Sequence, residues 1–478
     1  MASLDRRELL IRGGRGALLL ATPSAAFDAL AEPFEAEPAV SKRAWRALRA
    51  DVRGPVLLPR TPGYGRARLV FNSRFDGRRP AAVVQVADAR DVRAVVRWAD
   101  RFGARLVPRS GGHSYAGYSA SPRAVVVDLR RFRGIRLNAG AKSARIGAGA
   151  RLIDVYTVLA RRGVTIPAGT CPTVAMGGLA LGGGYGLASR RFGLTSDNVR
   201  ALTIVTADGR LRRADRDTNQ DLYWACRGGG GGNFGIVTGF ELDVHRARGA
   251  AYFSISWPWS QASAAVDAWQ RFAPHAPDGL TSILSLSNGP RVSASGQFFG
   301  STARLRQLLR PLTRVAGATL SVGESSYLDL MLRWAGGSRT SPRSAFWAKS
   351  AYVARPLSAK GRRTMIDWIE RPGSGALLLD AYGGAINRVR PGATAFVHRD
   401  QLFSIQYLSY SGGSWVAGVH GAMRPYASGQ AYQNYIDADL DRWQRAYYGR
   451  NLARLREVKK AYDPDFRFRF RQAIPPAR

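Results

Sequence analysis

Cysteine is scarce in this chain: Cys171 and Cys226 are the only two among 478 residues. Two cysteines allow at most one bridge, so a scaffold stabilised by several disulfides is excluded, and we expect no bridge at all. A chain of this length has room for two or three domains with substantial hydrophobic cores. Cys226 lies in the segment WACRGGGGG, where we expect it to pack as a small apolar side chain.

Acidic residues and lysine are also few. The chain has 71 basic and 34 acidic residues, a formal net charge of +37, and only six lysines. An arginine excess of this size suits binding to nucleic-acid phosphates. The arginines are scattered in doublets such as Arg130 with Arg131, however, and no nucleic-acid-binding motif accompanies them. Specific nucleic-acid recognition is therefore not expected, whereas nonspecific binding to anionic polymers and a coding bias towards Arg, Ala and Gly both stay open.

Long apolar runs are absent as well: no stretch reaches 18 apolar residues, so no membrane span is predicted. Residues 1–31 contain the twin arginines Arg6 and Arg7, a short apolar run and an Ala-x-Ala end at Ala31. This pattern resembles a twin-arginine export signal and predicts a secreted or periplasmic protein. Because Arg15 interrupts the apolar run, a basic amphipathic helix in a cytoplasmic protein is the alternative.

The rest of the chain divides into segments that differ in their pattern of apolar and polar residues. After Pro80 the pattern reads as strand, helix, strand, and later as two strands around an Asp208-Gly209 turn. After His245, strand-like segments follow one another with helices between them, which suggests an antiparallel sheet covered on one face. The predicted segments are a lead (32–74), a first domain (75–245), a substrate domain (246–428) and a C-terminal segment that returns to the first domain (429–478).

Two glycine-rich segments, 108–119 (PRSGGHSYAGYS) and 167–198, each surround one reactive side chain, His113 or Cys171. Glycine lets main-chain N–H groups approach a planar, phosphate-bearing ligand without interference from a Cβ atom. His113 and Cys171 are then placed as nucleophiles towards that ligand. From composition alone, each residue also has an ordinary interpretation, as a polar loop residue or a small buried hydrophobe.

Four further blocks follow in order along the chain. They are DLYWACRGGGGGNFGIVT (221–238), FVHRDQLFSIQY (396–407), AYQNYIDADL (431–440) and AYDPDFRFRFRQAIPP (461–476). Together the six motifs resemble those of the berberine-bridge-enzyme-like flavoproteins, a branch of the FAD-linked oxidases related to vanillyl-alcohol oxidase. The resemblance implies an α+β protein with a two-lobed PCMH-type FAD-binding domain, which is not a Rossmann sheet. It also implies a substrate domain with an antiparallel sheet covered by helices.

The resemblance implies that FAD is held twice. His113 would bond the flavin 8α-methyl carbon and Cys171 would bond ring position 6. Glycines 177–186 are expected to offer N–H donors to the FAD pyrophosphate, with a packing turn as the alternative. Leu179 stands where relatives often carry a His, so one polar flavin contact is missing. The other predicted cofactor-binding residues are Arg109, Ser110, Gly111, Gly112, Ser114, Val174, Gly177, Gly178, Gly182, Gly183, Gly184, Gly186, Gly235, Ile236, Val237 and Asn434.

The resemblance also identifies the catalytic candidates. Tyr435 would take the substrate proton as hydride leaves for the flavin N5, with Tyr115, Gln406 and Tyr432 lining the same space. A tyrosine has an ordinary pKa of about 10, so action near pH 7 needs roughly 4 kcal/mol of phenolate stabilisation, which we expect from cationic neighbours. A core tyrosine is the alternative for Tyr435. Gln406 replaces a Glu of the alkaloid enzymes, which disfavours alkaloid bridge formation, and Asp380 is left unassigned between the cleft and a strand-end cap.

Val174 matches a position where a small β-branched residue leaves space for O₂ beside the flavin. The predicted reaction therefore converts an alcohol, such as a sugar lactol, an oligosaccharide end or an aromatic alcohol, to a carbonyl, with O₂ reduced to H₂O₂. Three alternatives stay open: a secondary-metabolite tailoring oxidase, a dehydrogenase that uses another acceptor, and a basic binding protein without turnover. No metal site is predicted.

Overall fold

The computed structural model describes residues 40–478. The predicted export signal, residues 1–31, therefore lies outside the described residues. The helices α1–α16 are, in order, Lys42–Asp51, Tyr64–Ala67, Ala89–Phe102, Leu152–Ala160, Met176–Leu181, Ser189–Phe192, Gln220–Ala225, Ala262–Phe272, Thr302–Leu308, Arg310–Thr313, Tyr327–Trp334, Ala359–Ile369, Ala385–Arg388, Ser414–Met423, Trp443–Tyr448 and Leu452–Tyr462. The strands β1–β18 are Val56–Leu57, Ala82–Val84, Leu106–Arg109, Val125–Asp128, Ile135–Leu137, Ser143–Gly147, Val164–Thr165, Val199–Val205, Leu211–Asp215, Ile236–Asp243, His245–Arg246, Gly249–Pro258, Leu280–Ser287, Arg291–Phe298, Thr319–Ser326, Trp347–Val353, Ala376–Ala381 and Phe403–Ser409.

The first lobe is a four-stranded sheet in the order β1-β2-β4-β3, in which β2, β4 and β3 run parallel. Its crossover helix α3 begins at Asp88, whose carboxylate accepts hydrogen bonds from two N–H groups of the first turn, and ends at Gly103 with φ +66°. Valines at positions 92, 95 and 96 recur at helical spacing and are buried against the sheet. The strand, helix, strand order predicted after Pro80 is confirmed.

The second lobe is a five-stranded antiparallel sheet in the order β5-β6-β10-β8-β9. The predicted hairpin at Asp208-Gly209 joins β8 to β9, with Val205 opposite Leu211 and Gly209 at φ +70°. Cys226 is 2% exposed in the core of this domain, and Cys171 and Cys226 are both free thiols. The expectations of a packing cysteine and of no disulfide are therefore confirmed.

The third sheet has seven antiparallel strands in the order β15-β12-β14-β13-β17-β18-β16. One face packs against α8, α12 and α14, as predicted for a sheet covered by helices. Side chains alternate across a strand, so the opposite face presents the other set of residues. On β17, Leu377 and Leu379 belong to the core, whereas Leu378 and Asp380 face a cavity. The pleat thus points a carboxylate into the cavity from an otherwise apolar strand.

Buried charged groups join the sheets. Arg399 donates from both terminal nitrogens to Asp197 at 2.6 and 2.8 Å, which links the segment before β8 to the segment before β18. Lys459 of α16 donates to the carbonyl of Asn233 at 2.5 Å and pairs with Asp463, and neither side chain of the pair is exposed. The last helix is therefore fastened to the first two lobes. The four boundaries predicted from sequence stay predictions.

Acid is expected to weaken the fold through His398, which is fully buried. Burial lowers the pKa of His398 to about 4, so between pH 6.5 and 4 the unfolded chain binds a proton that the folded chain does not. As the pH is lowered across this window, the free energy of unfolding should decrease by about 1.4 kcal/mol per pH unit for this residue. Denaturant titrations from pH 4 to 7.5 should show a shallower fall for His398→Gln than for the wild type. The exposed His275 gives the control variant, His275→Gln, and equal slopes in all three proteins would contradict the assignment.

Candidate active site

A cavity of about 730 Å³ lies between the first two lobes and the uncovered face of the seven-stranded sheet. The two glycine-rich segments form one side, strands β13, β17 and β18 form another, and the segment after Ala431 contributes a third. Most of the sequence-predicted residues meet here. Those that line the cavity are Ser110, Gly111, Gly112, His113, Ser114, Tyr115, Cys171, Val174, Gly177, Gly178, Gly186, Gly235, Val237, Gln406, Tyr432, Asn434 and Tyr435.

Five predicted cofactor residues do not line the cavity, and two of them, Arg109 and Ile236, have buried side chains. The guanidinium of Arg109 is buried and donates to Asp128 at 2.8 Å and to the carbonyl of Ala67 at 2.5 Å. It supports the loop that carries His113 from behind. The side chain of Ile236 is fully buried in the core of the five-stranded sheet. Neither residue lines the cavity, so both side chains have structural roles, and cofactor contact at these two positions stays a prediction.

The glycine-rich turn after Cys171 differs from the prediction in its hydrogen bonds. The N–H groups of Gly177, Gly182 and Gly183 donate to the carbonyls of Ala148, Gly178 and Ala180, at 2.8 to 3.3 Å. Those of Gly184 and Gly186 donate to the hydroxyls of Tyr432 and Ser189, each at 3.0 Å. These five N–H groups already have protein acceptors, so they do not supply the predicted phosphate donors. Gly182, Gly183 and Gly184 also lie outside the cavity lining and serve the packing role that was the alternative.

The loop from Ser110 to Ser114 offers a continuous run of donors. In the described part of the chain, the five main-chain N–H groups of this loop have no protein acceptor, and all five residues line the cavity. Gly112 has φ +73°, which turns successive N–H groups towards one side. At Gly111 a Cβ atom would come within 2.8 Å of the backbone nitrogen of Ala175. Main-chain N–H groups without acceptors are costly unless a ligand or water accepts them, so this loop fits the diphosphate of FAD.

The two candidate nucleophiles meet at one hydroxyl. Nε2 of His113 lies 3.0 Å from Oγ1 of Thr173, and Sγ of Cys171 lies 3.9 Å from the same oxygen. The imidazole also stacks on Phe71 with ring centroids 4.1 Å apart. Burial lowers the pKa of His113 to about 4, so its ring is neutral and one nitrogen keeps a lone pair near neutral pH. Both side chains line the cavity, as covalent attachment would require.

A cluster of tyrosines forms the wall opposite. The rings of Tyr435 and Tyr115 stack with centroids 4.9 Å apart and planes 8° from parallel. Gln406 donates from Nε2 to the hydroxyl of Tyr115 at 2.8 Å. The hydroxyl of Tyr435 lies 3.4 Å from that of Tyr185, which donates to Oδ2 of Asp380 at 3.3 Å. The three predicted residues Tyr435, Tyr115 and Gln406 are therefore brought together.

Tyr185 and Asp380 are functional candidates that sequence reasoning missed or left open. Tyr185 lies inside the motif GGGYG, which was interpreted through its glycines alone. Nothing in the local sequence indicates that Tyr185 lies beside Tyr435. Its hydroxyl also lies 3.1 Å from Oγ of Ser404. Burial, and then the Asp380 carboxylate, raises the pKa of Tyr185 well above the ordinary value of tyrosine. Tyr185 therefore stays protonated and can pass a proton, but it does not serve as a phenolate.

Tyr432 has a different role from its neighbours. Its hydroxyl accepts hydrogen bonds from the N–H of Gly184 at 3.0 Å and from Nδ2 of Asn434 at 2.8 Å. Asn434 donates in turn to the carbonyl of Leu179 at 2.9 Å. Burial raises the pKa of Tyr432. Tyr432 thus lines the cavity but fastens the C-terminal segment to the glycine-rich turn, and it is not suited to act as a base.

Comparisons with known proteins agree with this architecture. Residues 80–215 match the family model described as "FAD binding domain", and residues 431–475 match "Berberine and berberine like". The chain is 33% identical over 447 residues to the FAD-linked oxidoreductase YgaK of Bacillus subtilis (strain 168), which covers 90% of this chain and 98% of that one. It is 32% identical over 446 residues to a xylooligosaccharide oxidase of Thermothelomyces thermophilus, covering 85% and 89%. The solved structure of Physcomitrella patens BBE-like 1 superposes with a TM-score of 0.86 at 34% identity, covering 91% and 99%.

The two-lobed domain, the N–H loop and the tyrosine-lined cavity define an FAD-linked oxidoreductase with a PCMH-type fold. The chain belongs to the berberine-bridge-enzyme-like family. Among residues 40–478, no helix has both the length and the apolar character that a membrane crossing requires. In the same residues, no group of three or more His, Cys, Asp or Glu side chains is arranged to hold a metal ion.

Proposed function

We propose that this protein oxidises the hydroxyl-bearing carbon of a sugar or oligosaccharide end, or of an aromatic alcohol, to a carbonyl. FAD held in the cavity would accept a hydride from that carbon and return two electrons to O₂, which leaves as H₂O₂. The observation that carries the proposal is the hydroxyl of Tyr435 in the cavity, joined through Tyr185 to Asp380. A relative named for the oxidation of xylooligosaccharides supports the sugar class.

The chain Tyr435–Tyr185–Asp380 lowers the demand on the base. A lone phenolate at Tyr435 would need stabilisation by about 4 kcal/mol near pH 7. In the structure the Tyr185 hydroxyl is the donor to Tyr435, so the relay requires that this hydrogen bond reverses when the substrate binds. Tyr435 then accepts the substrate hydroxyl proton as its own proton passes to Tyr185 and the Tyr185 proton passes to Asp380. Neither tyrosine is then left as a phenolate, because the Asp380 carboxylate takes up the proton and becomes neutral. The distances of 3.4 and 3.3 Å are long for O–H···O bonds, and such contacts commonly tighten when the substrate is bound.

Two further side chains orient the base. Gln406 donates to the Tyr115 hydroxyl, and the Tyr115 ring stacks on Tyr435. The stack limits rotation of the Tyr435 ring and keeps its hydroxyl pointed at Tyr185. Arg469 is a basic side chain of the cavity lining, with Phe470 and Gly232 beside it. The expected cation next to Tyr435 stays a prediction, and the relay to Asp380 supplies a second means of charge stabilisation.

Covalent attachment of FAD at both His113 and Cys171 is part of the proposal. Both side chains line the cavity beside the loop of acceptor-free N–H groups, and His113 is neutral near pH 7. A diphosphate bound at Ser110–Ser114 would bring the rest of the cofactor into the same cavity as the two nucleophiles. The attachment explains why a histidine and a cysteine from separate segments share one wall.

The proposed function is tested on the purified protein. The absorbance of the acid-precipitated chain reports attached flavin, and H₂O₂ release is followed with a panel of mono- and oligosaccharides and aromatic alcohols. Acid-stable yellow colour with steady peroxide release from one of these classes is the expected result. Flavin reduction without peroxide would instead indicate a dehydrogenase. Attached flavin that no alcohol reduces would contradict the proposed reaction.

Val174 is expected to control the reaction with O₂. Its side chain lines the cavity three residues after Cys171, and a bulkier group there would fill space beside the flavin. Val174→Leu should slow H₂O₂ formation roughly tenfold, equivalent to about 1.4 kcal/mol, while substrate reduction of the flavin under anaerobic conditions stays within about twofold. Stopped-flow measurement of the two half-reactions separates these effects. Val174→Ala serves as the control that keeps the space, and an equal loss of both half-reactions in Val174→Leu would refute an oxygen-specific role.

A further inference from the structure

Thr173 lies between the two candidate attachment residues, outside the cavity lining. Its Oγ1 is 3.0 Å from Nε2 of His113 and 3.9 Å from Sγ of Cys171. The cavity is lined by Cys171, Pro172 and Val174 on either side of it, whereas Thr173 itself is turned away from the lining. One hydroxyl therefore contacts both nucleophiles from outside the cavity lining.

We infer that Thr173 is the positioning residue that prepares both His113 and Cys171 for bonding to FAD, through a shared hydrogen-bonded array. The inference rests on the proposed function, because it assumes that both side chains become attached. It goes further by assigning the preparation of both bonds to a third side chain that does not touch the cofactor. It also predicts that the two bonds depend on the same hydroxyl.

The hydrogen-bonding capacity of a hydroxyl explains how one residue can serve two nucleophiles. A threonine hydroxyl has one proton to donate and two lone pairs to accept. His113 is neutral, so one ring nitrogen carries a proton and the other carries a lone pair. If Nε2–H donates to Thr173, the lone pair stays on Nδ1, the nitrogen that does not face Thr173. The stack on Phe71 holds the plane of the ring, so this hydrogen bond also sets its rotation.

The same arrangement orients the sulfur of Cys171. When Oγ1 accepts from His113, its own proton is free to point at the cysteine sulfur 3.9 Å away. This contact would hold the sulfur in one position relative to the His113 ring. In this array the His113 N–H donates to the Thr173 hydroxyl, and the Thr173 O–H donates to the Cys171 sulfur. Both hydrogen bonds therefore run in the same direction.

The attachment chemistry balances with O₂ as the oxidant. At each site the imidazole or the thiol loses one proton, a flavin carbon loses one proton, and a bond forms between that carbon and the Nδ1 or Sγ atom. The two protons and the two electrons released by this oxidation pass to O₂, which leaves as H₂O₂. A chain with one bond is therefore heavier by FAD less two hydrogens, and a chain with two bonds by FAD less four. Mass spectrometry can thus count the bonds without any measurement of turnover.

The test compares Thr173→Val, which keeps the shape, with Thr173→Ser, which keeps the hydroxyl. Protein is collected at short intervals after induction, and the fractions with no, one and two bonds are counted by mass. For Thr173→Val we expect both bonds to form roughly tenfold more slowly than in the wild type, because a hydrogen bond to a charged or reactive group is lost. Thr173→Ser should restore at least half of the wild-type rate. Thr157, whose Oγ1 donates to the carbonyl of Ile153, offers the matched control Thr157→Val, which should form both bonds at the wild-type rate.

The outcomes separate the inference from the function on which it rests. Wild-type attachment rates at both sites in Thr173→Val would overturn the inference, and so would a loss in Thr173→Ser equal to that in Thr173→Val. Slowing of only one of the two bonds would overturn the shared array. If Thr173→Val does not fold, as judged by its thermal unfolding, the comparison of Thr173→Ala with Thr173→Ser applies the same criteria. A wild-type protein without attached flavin would instead overturn the proposed bicovalent attachment itself.

Discussion

Tyr435→Phe is expected to lower kcat for the alcohol substrate by about 10²- to 10⁴-fold, the usual range for loss of a general base. The substitution removes one hydroxyl and keeps the ring that stacks on Tyr115 at 4.9 Å. It thereby breaks the relay to Asp380 without opening the wall of the cavity. KM should change by much less than kcat, because the hydroxyl acts on the proton that leaves in the transition state.

Rapid-reaction measurement of flavin reduction gives the rate of this step without interference from the reaction with O₂. The flavin content of Tyr435→Phe should equal that of the wild type. Tyr223→Phe is a suitable control, because it removes a buried hydroxyl that donates to the carbonyl of Val199 in the FAD-binding domain. Asp380→Asn should also slow reduction and alter its pH dependence, since an amide cannot accept the relayed proton. A Tyr435→Phe enzyme that reduces its flavin at the wild-type rate would refute the role of Tyr435 as the base.

Sequence motifs were sufficient to predict which segments meet in the cavity, but not how each backbone is used. Ser110–Ser114 and Gly177–Gly186 look alike as glycine-rich stretches, yet all five N–H groups of the first are without protein acceptors, whereas five glycine N–H groups of the second have them. The second is folded on itself and against the hydroxyl of Tyr432. Such competition for donors depends on tertiary contacts and leaves no mark on the local sequence. The same reason accounts for Arg109, whose partner Asp128 lies on the neighbouring strand.

The relay from Tyr435 to Asp380 shows what long-range packing adds. Tyr185 is separated from Asp380 by 195 positions and from Tyr435 by 250. The three residues belong to different segments of the chain, and the sequence around each one does not predict its contact with the other two. The orientation of Asp380 alone was accessible, because alternation along ALLLDA places Asp380 on the face opposite to Leu377 and Leu379. What the alternation did not indicate was which face would be covered by helices and which would border the cofactor domain.

The double substitution His113→Ala with Cys171→Ala is expected to abolish acid-stable flavin completely, whereas each single substitution should leave one bond. The two side chains come from separate segments that form one wall of the cavity, and both contact Oγ1 of Thr173. Removal of one therefore leaves the other facing the cavity with its own access to the cofactor. The loop of N–H donors is unchanged in all three variants, so FAD should still bind noncovalently.

Acid precipitation followed by absorbance and mass measurement distinguishes these states. Each single variant should keep colour in the pellet and gain FAD less two hydrogens, and the double variant should give a colourless pellet and yellow supernatant. Ser189 lies in the same glycine-rich segment as Cys171, and its hydroxyl accepts from Gly186, so Ser189→Ala controls for disturbance of that segment alone. Complete loss of attached flavin in one single variant would mean that the other residue forms no bond in its absence. Flavin that stays attached in the double variant would mean that the bonds are made by other side chains, and the assignment of His113 and Cys171 would fail.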